Sequence, residues 1–252
     1  MRRGHAIVAP ASSAQSWIPA FTGRYDDAEI DLLLRFARPG TLYLDVGACF
    51  GFWTVPLAIH ARRAGAHVLA FEPIEGNRRY LEHNLERNGV RDVVTVIGSA
   101  LGARGGVATL RPEPGGLGNA AVIEGEQDGD LDVSILALDE VELPSAVATT
   151  PLSIAKLDVE GLEMDVLAGM ERRVTTDRPV ILGEFNPVWS HRRGIPMDEP
   201  TRWASRHGYL CRRLARRRDH PLSDRYGIVP SDPGGGTPAD GDVLLQPATD
   251  GS

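Results

Sequence analysis

The apolar residues of this chain follow two patterns, one typical of strands and one typical of helices, and the two patterns alternate along most of the chain. Short apolar runs of strand length stand at 42–46, 68–71, 93–97, 152–157 and 179–183. Segments whose apolar residues recur every three or four positions stand at 26–38, 52–62, 75–88 and 162–173, and this spacing predicts amphipathic helices. Strands that alternate with helices predict an α/β fold with a mostly parallel sheet and helices on both faces.

Other regions depart from this alternation. Short strands predicted at 106–110 and 133–138 flank the segment 111–131, which is rich in Gly, Pro, Glu and Asp and which we interpret as a mobile loop over the substrate. A helix ending near 207 precedes two predicted antiparallel strands, 208–213 and 242–246. Residues 1–24 are aperiodic and predict an N-terminal arm or cap, and residues 25–252 predict a single domain.

The strand predicted at 42–46 leads into a loop that contains Gly47 and Gly51, called here the glycine loop (residues 47–51). Its spacing is G-x-x-x-G and not the dinucleotide G-x-G-x-x-G. Asp45, two residues before the first glycine, would repel a pyrophosphate but can accept a hydrogen bond from the ammonium group of an amino acid. The loop therefore favours the methionine end of S-adenosylmethionine over NAD.

An acidic residue also ends the second predicted strand. Glu72 lies 21 residues after Gly51, close to the offset at which an acid binds ribose hydroxyls in such folds. A carboxylate can accept a hydrogen bond from each hydroxyl of a cis-diol. We predict that Glu72 binds the ribose, and the alternative is an acid on the surface. Ser99 and Ala100 follow the third strand, where an adenine ring would lie.

The strand predicted at 152–157 ends in a charged sequence. Ligands bind at the carboxyl ends of strands in open α/β sheets, so Asp158 is the first candidate for a general base or metal ligand. Glu160 can act with it, and Lys156 shares its side of the strand. The alternatives are a helix cap for Asp158, first-turn helix charge for Glu160 and a salt bridge for Lys156.

Two more candidates follow the fifth strand. Glu184 and Asn186 would bring oxygen atoms next to Asp158, and such a set suits Mg²⁺ or another divalent cation. His191, which we place in the following loop, is the second candidate base.

Composition narrows the class of protein. The net charge of −7 argues against a nucleic-acid partner, and no apolar run is long enough to span a membrane. The chain shows no secretory signal, and its two cysteines, Cys49 and Cys211, lie far apart in sequence, so we expect a reducing cytoplasm. The oligomeric state stays open, with a homodimer among the options.

Three motifs together resemble the FkbM family of S-adenosylmethionine-dependent methyltransferases: residues 45–51, 71–73 and 156–161. The resemblance covers about 42–186 and extends to Asn84, Asn88 and Glu184. One residue departs from the family, which usually has Asn where this chain has Cys49, so cofactor contacts there would rely on the backbone. The cofactor-binding residues implied are Asp45, Gly47, Ala48, Cys49, Gly51, Glu72, Pro73, Ser99 and Ala100.

The resemblance implies a Rossmann-like class I methyltransferase fold, with a seven-stranded, mostly parallel sheet whose last strand is antiparallel. It also implies O-methylation of a hydroxyl on a small molecule, such as a natural product or a sugar, in secondary metabolism. The alternatives are an N-methyltransferase acting on an amine and a non-catalytic binding protein with this fold. A Rossmann oxidoreductase is disfavoured, because the chain lacks a Tyr-x-x-x-Lys pair around its only lysine, Lys156.

Overall fold

A computed structural model describes residues 4–13, 25–112, 120–122, 130–216, 226–230 and 241–248. Its helices are α1 Asp27–Leu34, α2 Thr54–Ala64, α3 Glu75–Arg87, α4 Glu163–Gly169, α5 Glu171–Asp177, α6 Pro187–Arg192 and α7 Glu199–Arg206. Its strands are β1 Leu42–Val46, β2 His67–Phe71, β3 Val94–Ile97, β4 Ala100–Leu101, β5 Gly106–Pro112, β6 Ala120–Val122, β7 Leu131–Leu136, β8 Leu152–Leu157, β9 Val180–Phe185, β10 Tyr209–Arg216, β11 Tyr226–Pro230 and β12 Gly241–Pro247.

The main sheet has the strand order β11-β10-β12-β9-β8-β1-β2-β3. Strands β9, β8, β1, β2 and β3 are parallel, and β12 runs antiparallel to both of its neighbours. Seven of these strands form the predicted mostly parallel sheet, with the last strand of the chain antiparallel. The prediction missed β11, an eighth strand that pairs with β10 at the edge.

The central strand β1 is buried along its whole length, which explains its continuous apolar sequence. Leu42, Leu44 and Val46 pack on one side of the sheet with residues of α4, α5 and α7. Tyr43 packs on the other side with residues of α1, α2 and α3. The alternation places helices on both faces, as predicted.

Three predicted elements differ from the structure. The helix predicted at 162–173 is two helices, α4 and α5, that meet at Met170, where φ is −120°. The strand predicted at 179–183 continues to Phe185, so Glu184 lies within β9 and not after it. His191 lies in helix α6 and not in a loop, because the Asn186 side chain caps the first turn by accepting from the Val188 N–H at 2.9 Å.

The segment predicted as a loop at 111–131 is partly strand. Its ends belong to β5 and β7 and its middle to β6, within a second sheet of order β4-β7-β5-β6. Arg111 binds Asp130 through two hydrogen bonds of 2.9 Å, which ties the two ends of the segment together. Residues 113–119 and 123–129, on which the predicted mobile loop mainly falls, lie outside the described residues.

Part of the predicted N-terminal arm, residues 4–13, is described and contacts α3 through hydrogen bonds of Ala6 and Val8. Residues 14–24 lie outside the described residues, so the predicted cover over the substrate stays a prediction. Across the described ranges, no helix is both long and apolar enough to cross a membrane.

Candidate active site

A pocket opens at the carboxyl ends of β1, β2 and β8 and contains about 860 Å³ of empty space, counting the part open to solvent. Most of its wall is apolar, and its carboxylates come from Glu72, Asp158 and Glu160. The pocket is lined by Tyr25, Val46, Gly47, Ala48, Cys49, Phe52, Trp53, Phe71, Glu72, Pro73, Ile74, Ala100, Leu101, Leu110, Asp158, Val159, Glu160 and Leu162. A largely apolar cavity with few polar groups suits a nucleoside-bearing ligand.

The glycine loop needs both of its glycines. At Gly47, φ is +82°, and a Cβ atom would lie 2.0 Å from the main-chain oxygen of Asp158. At Gly51, φ is +90°, and a Cβ atom would lie 2.8 Å from Cδ1 of Leu81 on α3. The loop thus lies between the end of β8 and helix α3, in a backbone conformation that glycine adopts without strain.

Cys49 also has a left-handed backbone, with φ of +49°. Asn tolerates this region better than most residues, which explains why the resemblance predicts Asn here. The Cys49 backbone N–H donates to Oε2 of Glu72 at 2.8 Å. Burial, followed by the nearby Glu72, raises the pKa of the Cys49 thiol, so this side chain stays neutral at ordinary pH.

Glu72 is 4% exposed, and its carboxylate connects several segments of the pocket wall through hydrogen bonds. In addition to Cys49, it accepts hydrogen bonds from the Ile74 N–H at 2.9 Å and from Nδ2 of Asn77 at 3.2 Å. Burial raises the pKa of Glu72 to about 7, although these hydrogen bonds oppose the rise. Its carboxylate therefore faces the pocket while it fixes the glycine loop to α3.

Asp45 is 1% exposed and is not one of the residues that line the pocket. Its Oδ2 accepts a hydrogen bond from Oγ1 of Thr54 at 2.5 Å. Burial raises the pKa of Asp45 to about 6, while Thr54 and Lys156 act in the opposite direction. The predicted contact with an ammonium group stays a prediction, and an intervening water fits this position better than direct contact.

Lys156 and Asp158 form an ion pair, with Nζ 2.9 Å from Oδ2. The lysine side chain is 5% exposed and its Nζ lies 5.2 Å from the centre of the Trp53 ring. Burial lowers the pKa of Lys156, but Asp158 and Asp45 outweigh burial and raise it overall. Lys156 thus stays charged and holds Asp158 at the pocket, which is the salt bridge considered above.

The turn after β8 presents Asp158 and Glu160 to the pocket and is held from below by Glu163. Glu160 has φ of +51° and Gly161 has φ of +95°. Oε1 of Glu163 accepts from the Val159 N–H at 3.0 Å and from the Gly161 N–H at 3.2 Å. Glu163 is 3% exposed, and burial raises its pKa to about 7. This anchoring side chain, and not Asp158, supplies the cap of the turn.

The remaining predicted residues surround the pocket or lie at its edge. Glu184 is near Asp158, and loss of hydration followed by repulsion from Asp158 raises the pKa of Glu184 to about 8, although its side chain is exposed. Asn186 caps α6 and His191 is exposed on that helix. Neither lines the pocket, and nor does Ser99, whereas Pro73 and Ala100 do.

Several site residues were missed by the sequence prediction. Tyr25 stacks on Phe52 with 4.3 Å between ring centres, and both line the pocket. Burial, followed by nearby Asp26 and then Asp158, raises the pKa of Tyr25. The signal for Asn77 was present, because it recurs at helical spacing with Leu81 on the apolar side of α3.

Comparison with known proteins agrees with this geometry. The model of the methyltransferase FkbM domain matches residues 45–216, which is more than half of the chain. Methyltransferase FkbM from Methylobacillus flagellatus KT has 17% identity and a TM-score of 0.51, over 86% of this chain and 50% of that one. The structure of a putative rRNA methylase from Clostridium thermocellum has 10% identity and a TM-score of 0.50, over 87% of this chain and 95% of that one.

A curated relative is the AMB antimetabolite synthetase AmbE of Pseudomonas aeruginosa, which is 26% identical over 233 residues. The match covers 78% of this chain and 11% of the synthetase, so the chain spans about a tenth of that protein's length.

The sheet order, the glycine loop and the acid at the end of β2 define a Rossmann-like methyltransferase. The chain belongs to the FkbM methyltransferase family, and its enzymatic class is that of an S-adenosylmethionine-dependent methyltransferase.

Proposed function

We propose that this enzyme transfers a methyl group to a hydroxyl of a small molecule, with Asp158 as the general base. The observation that carries the proposal is the position of two carboxylates in one pocket. Glu72 lies at the end of β2 and Asp158 follows β8, and both line the same cavity. One carboxylate can hold the adenosyl part of the cofactor while the other receives a proton from the acceptor.

The pocket fits S-adenosylmethionine in shape and chemistry. Gly47, Ala48 and Cys49 of the glycine loop line the pocket, whereas Gly51 packs against Leu81 and does not line it. In the proposal, Glu72 accepts hydrogen bonds from the ribose hydroxyls, and the apolar wall near Ile74 and Leu101 packs on the adenine. Cys49 contributes its backbone and not its thiol.

The reaction needs a base because a hydroxyl is a weak nucleophile at neutral pH. When bound, S-adenosylmethionine supplies a methyl group on a positively charged sulfur. The acceptor hydroxyl gives its proton to the Asp158 carboxylate as its oxygen bonds to the methyl carbon. The carbon–sulfur bond breaks, and S-adenosylhomocysteine leaves. Lys156 keeps Asp158 in position through their 2.9 Å ion pair.

The steps proposed here do not require a metal ion. The Asn186 oxygen already accepts the Val188 N–H as a helix cap, and Asp158 is paired with Lys156. Among the residues that the structure describes, no group of three or more His, Cys, Asp or Glu side chains is arranged to hold a metal. The donor set expected from Asp158, Glu184 and Asn186 thus fits a divalent cation poorly.

Two observations support a small-molecule acceptor. The net charge of −7 disfavours a phosphate backbone as partner. The curated relative carries the name AMB antimetabolite synthetase, and the proposal takes an acceptor from small-molecule metabolism to agree with that name. The proposal also keeps the reducing cytoplasm as the compartment, since Cys49 is buried with a raised pKa and lies far in sequence from Cys211.

The test is methyl transfer from radiolabelled S-adenosylmethionine to a panel of sugars, polyols, phenols, amines and a structured RNA, with and without EDTA. We expect label on hydroxyl acceptors, no loss with EDTA, and a fall in kcat of about 100-fold or more in Asp158→Asn. Label on amines alone would assign N-methylation, and label on RNA alone would refute the small-molecule proposal. Wild-type rates in Asp158→Asn would refute the role of the base.

A further inference from the structure

Asn84 joins three separate segments through one side chain. It lies on the buried side of α3 with none of its surface exposed. Its Nδ2 donates to the carbonyl oxygens of Phe50 and Val8, both at 2.8 Å, and its Oδ1 accepts from the Val8 N–H at 2.8 Å. Both donor hydrogens of the Asn84 amide, and its acceptor oxygen, therefore have a partner.

Phe50 belongs to the glycine loop, which is therefore held from two sides. Glu72 binds the Cys49 N–H on the pocket side, and Asn84 binds the Phe50 carbonyl on the side of α3. Asn77 binds Glu72 from the same helix, one heptad before Asn84. Both attachments of the loop thus lead back to the buried face of α3.

We propose that Asn84 is a positioning residue for the cofactor, and that residues 6–8 form a strap that it locks to the glycine loop. The side chain does not line the pocket. It acts through the Phe50 carbonyl, which fixes the loop backbone before the cofactor arrives. A loop ordered in advance binds its ligand without the free-energy cost of ordering.

Asn88, the residue directly after helix α3, supplies a control. Asn88 donates from Nδ2 to the carbonyl oxygens of Ala6 and Asn84, both at 2.7 Å, and accepts from the Ala6 N–H at 3.0 Å. Its pattern of bonds to the strap repeats that of Asn84, but these bonds do not include the glycine loop. A change at Asn88 therefore loosens the strap while the attachment at Phe50 remains.

The experiment compares Asn84→Asp with Asn88→Asp in the full chain. Each substitution keeps the acceptor oxygen and replaces two donated hydrogen bonds with repulsion between oxygens. The Kd of S-adenosylhomocysteine is measured by calorimetry, and the amide exchange of residues 47–53 is measured without ligand. We expect a Kd about tenfold weaker and faster exchange for Asn84→Asp, and wild-type values of both for Asn88→Asp. Thermal unfolding reports the structural cost of each variant, which is larger for Asn84→Asp because Asn84 is fully buried and Asn88 is only half-buried.

The inference rests on the proposed cofactor position over the glycine loop. Binding by the wild type distinguishes failure of the proposed function from failure of the inference. If wild type binds no S-adenosylhomocysteine, the proposed function fails. If wild type binds it and folded Asn84→Asp binds equally well, only this inference is overturned. Equal weakening by Asn88→Asp would also overturn it. If Asn84→Asp does not fold, the single variants Asn84→Ala and Asn88→Ala allow the same comparison without an added charge.

Discussion

Two substitutions of Glu163 distinguish the effect of its hydrogen bonds from the effect of its charge. Both bonds, from the Val159 and Gly161 N–H groups, end on the same oxygen, Oε1. Glu163→Gln can keep both bonds on its amide oxygen, whereas Glu163→Ala leaves two N–H groups without their acceptor. Since each buried group left unpaired costs about 1–3 kcal/mol, we expect Glu163→Ala to lower the free energy of unfolding by about 3 kcal/mol.

The charge of Glu163 adds a dependence on pH with a definite sign. Its pKa is about 7 in the folded chain against an ordinary value of 4.5. Between these values the folded chain holds a proton that the unfolded chain has released, so stability falls as pH rises from 4.5 to 7. Glu163→Gln does not titrate, and we expect it to gain stability relative to wild type over this window, by a free energy of the order of 3 kcal/mol.

The assay is urea unfolding of wild type and both variants at pH 5 and pH 8, followed by circular dichroism. Every other group titrates in all three proteins, so differences between them report on position 163. Equal losses in Glu163→Gln and Glu163→Ala would refute the hydrogen-bonding role of Oε1. A stability difference between wild type and Glu163→Gln that does not change with pH would refute the raised pKa.

Three further predictions concern the glycine loop and its partner. Cys49→Asn should raise the free energy of unfolding by about 0.5–1 kcal/mol, because Asn suits φ of +49°. Urea unfolding measures this change, with Cys49→Ser as the control. An equal gain in Cys49→Ser would show that the backbone preference of Asn is not the cause. Gly47→Ala should lower the free energy of unfolding by more than about 3 kcal/mol and abolish cofactor binding, because its Cβ would meet the main-chain oxygen of Asp158 at 2.0 Å. Circular dichroism measures the unfolding and calorimetry measures the binding. Retained binding would contradict this prediction. If ribose hydroxyls donate to an ionised Glu72, as proposed, then its pKa of about 7 should make binding of S-adenosylhomocysteine weaken about tenfold per pH unit well below pH 7. The same slope in Glu72→Gln would contradict this.

Local sequence was sufficient for the parts of the fold that depend on a few adjacent residues. The bounds of β1 and β8 were predicted without error, because both are buried along their length and read as continuous apolar runs. Gly47 and Glu72 were recognised because a glycine turn and a strand-end acid keep a fixed spacing. Both residues line the same pocket, and their contact with a cofactor stays a prediction.

Contacts between distant segments could not be predicted from local pattern. Nothing near Tyr25 indicates that it stacks on Phe52, 27 residues further along. The αL backbone at Cys49 is set by the loop's position between β8 and α3, and a cysteine gives no signal of it. Asn84 matched the family, but its bond to Phe50 depends on tertiary packing.

Likewise, strand β6 is a three-residue segment within a Gly- and Pro-rich region, where a composition-based prediction favours a loop. Its pairing with β5 comes from the second sheet.

The most direct test of the account is calorimetric titration of S-adenosylhomocysteine into wild type and Glu72→Ala, with NAD as the control ligand. The account predicts saturable binding to wild type, no heat from NAD, and a Kd at least about tenfold weaker in folded Glu72→Ala, because the ribose contact and the anchor of Cys49 are lost together. Binding of NAD, or equal binding of S-adenosylhomocysteine by wild type and Glu72→Ala, would contradict the central claim that this pocket holds the cofactor through Glu72.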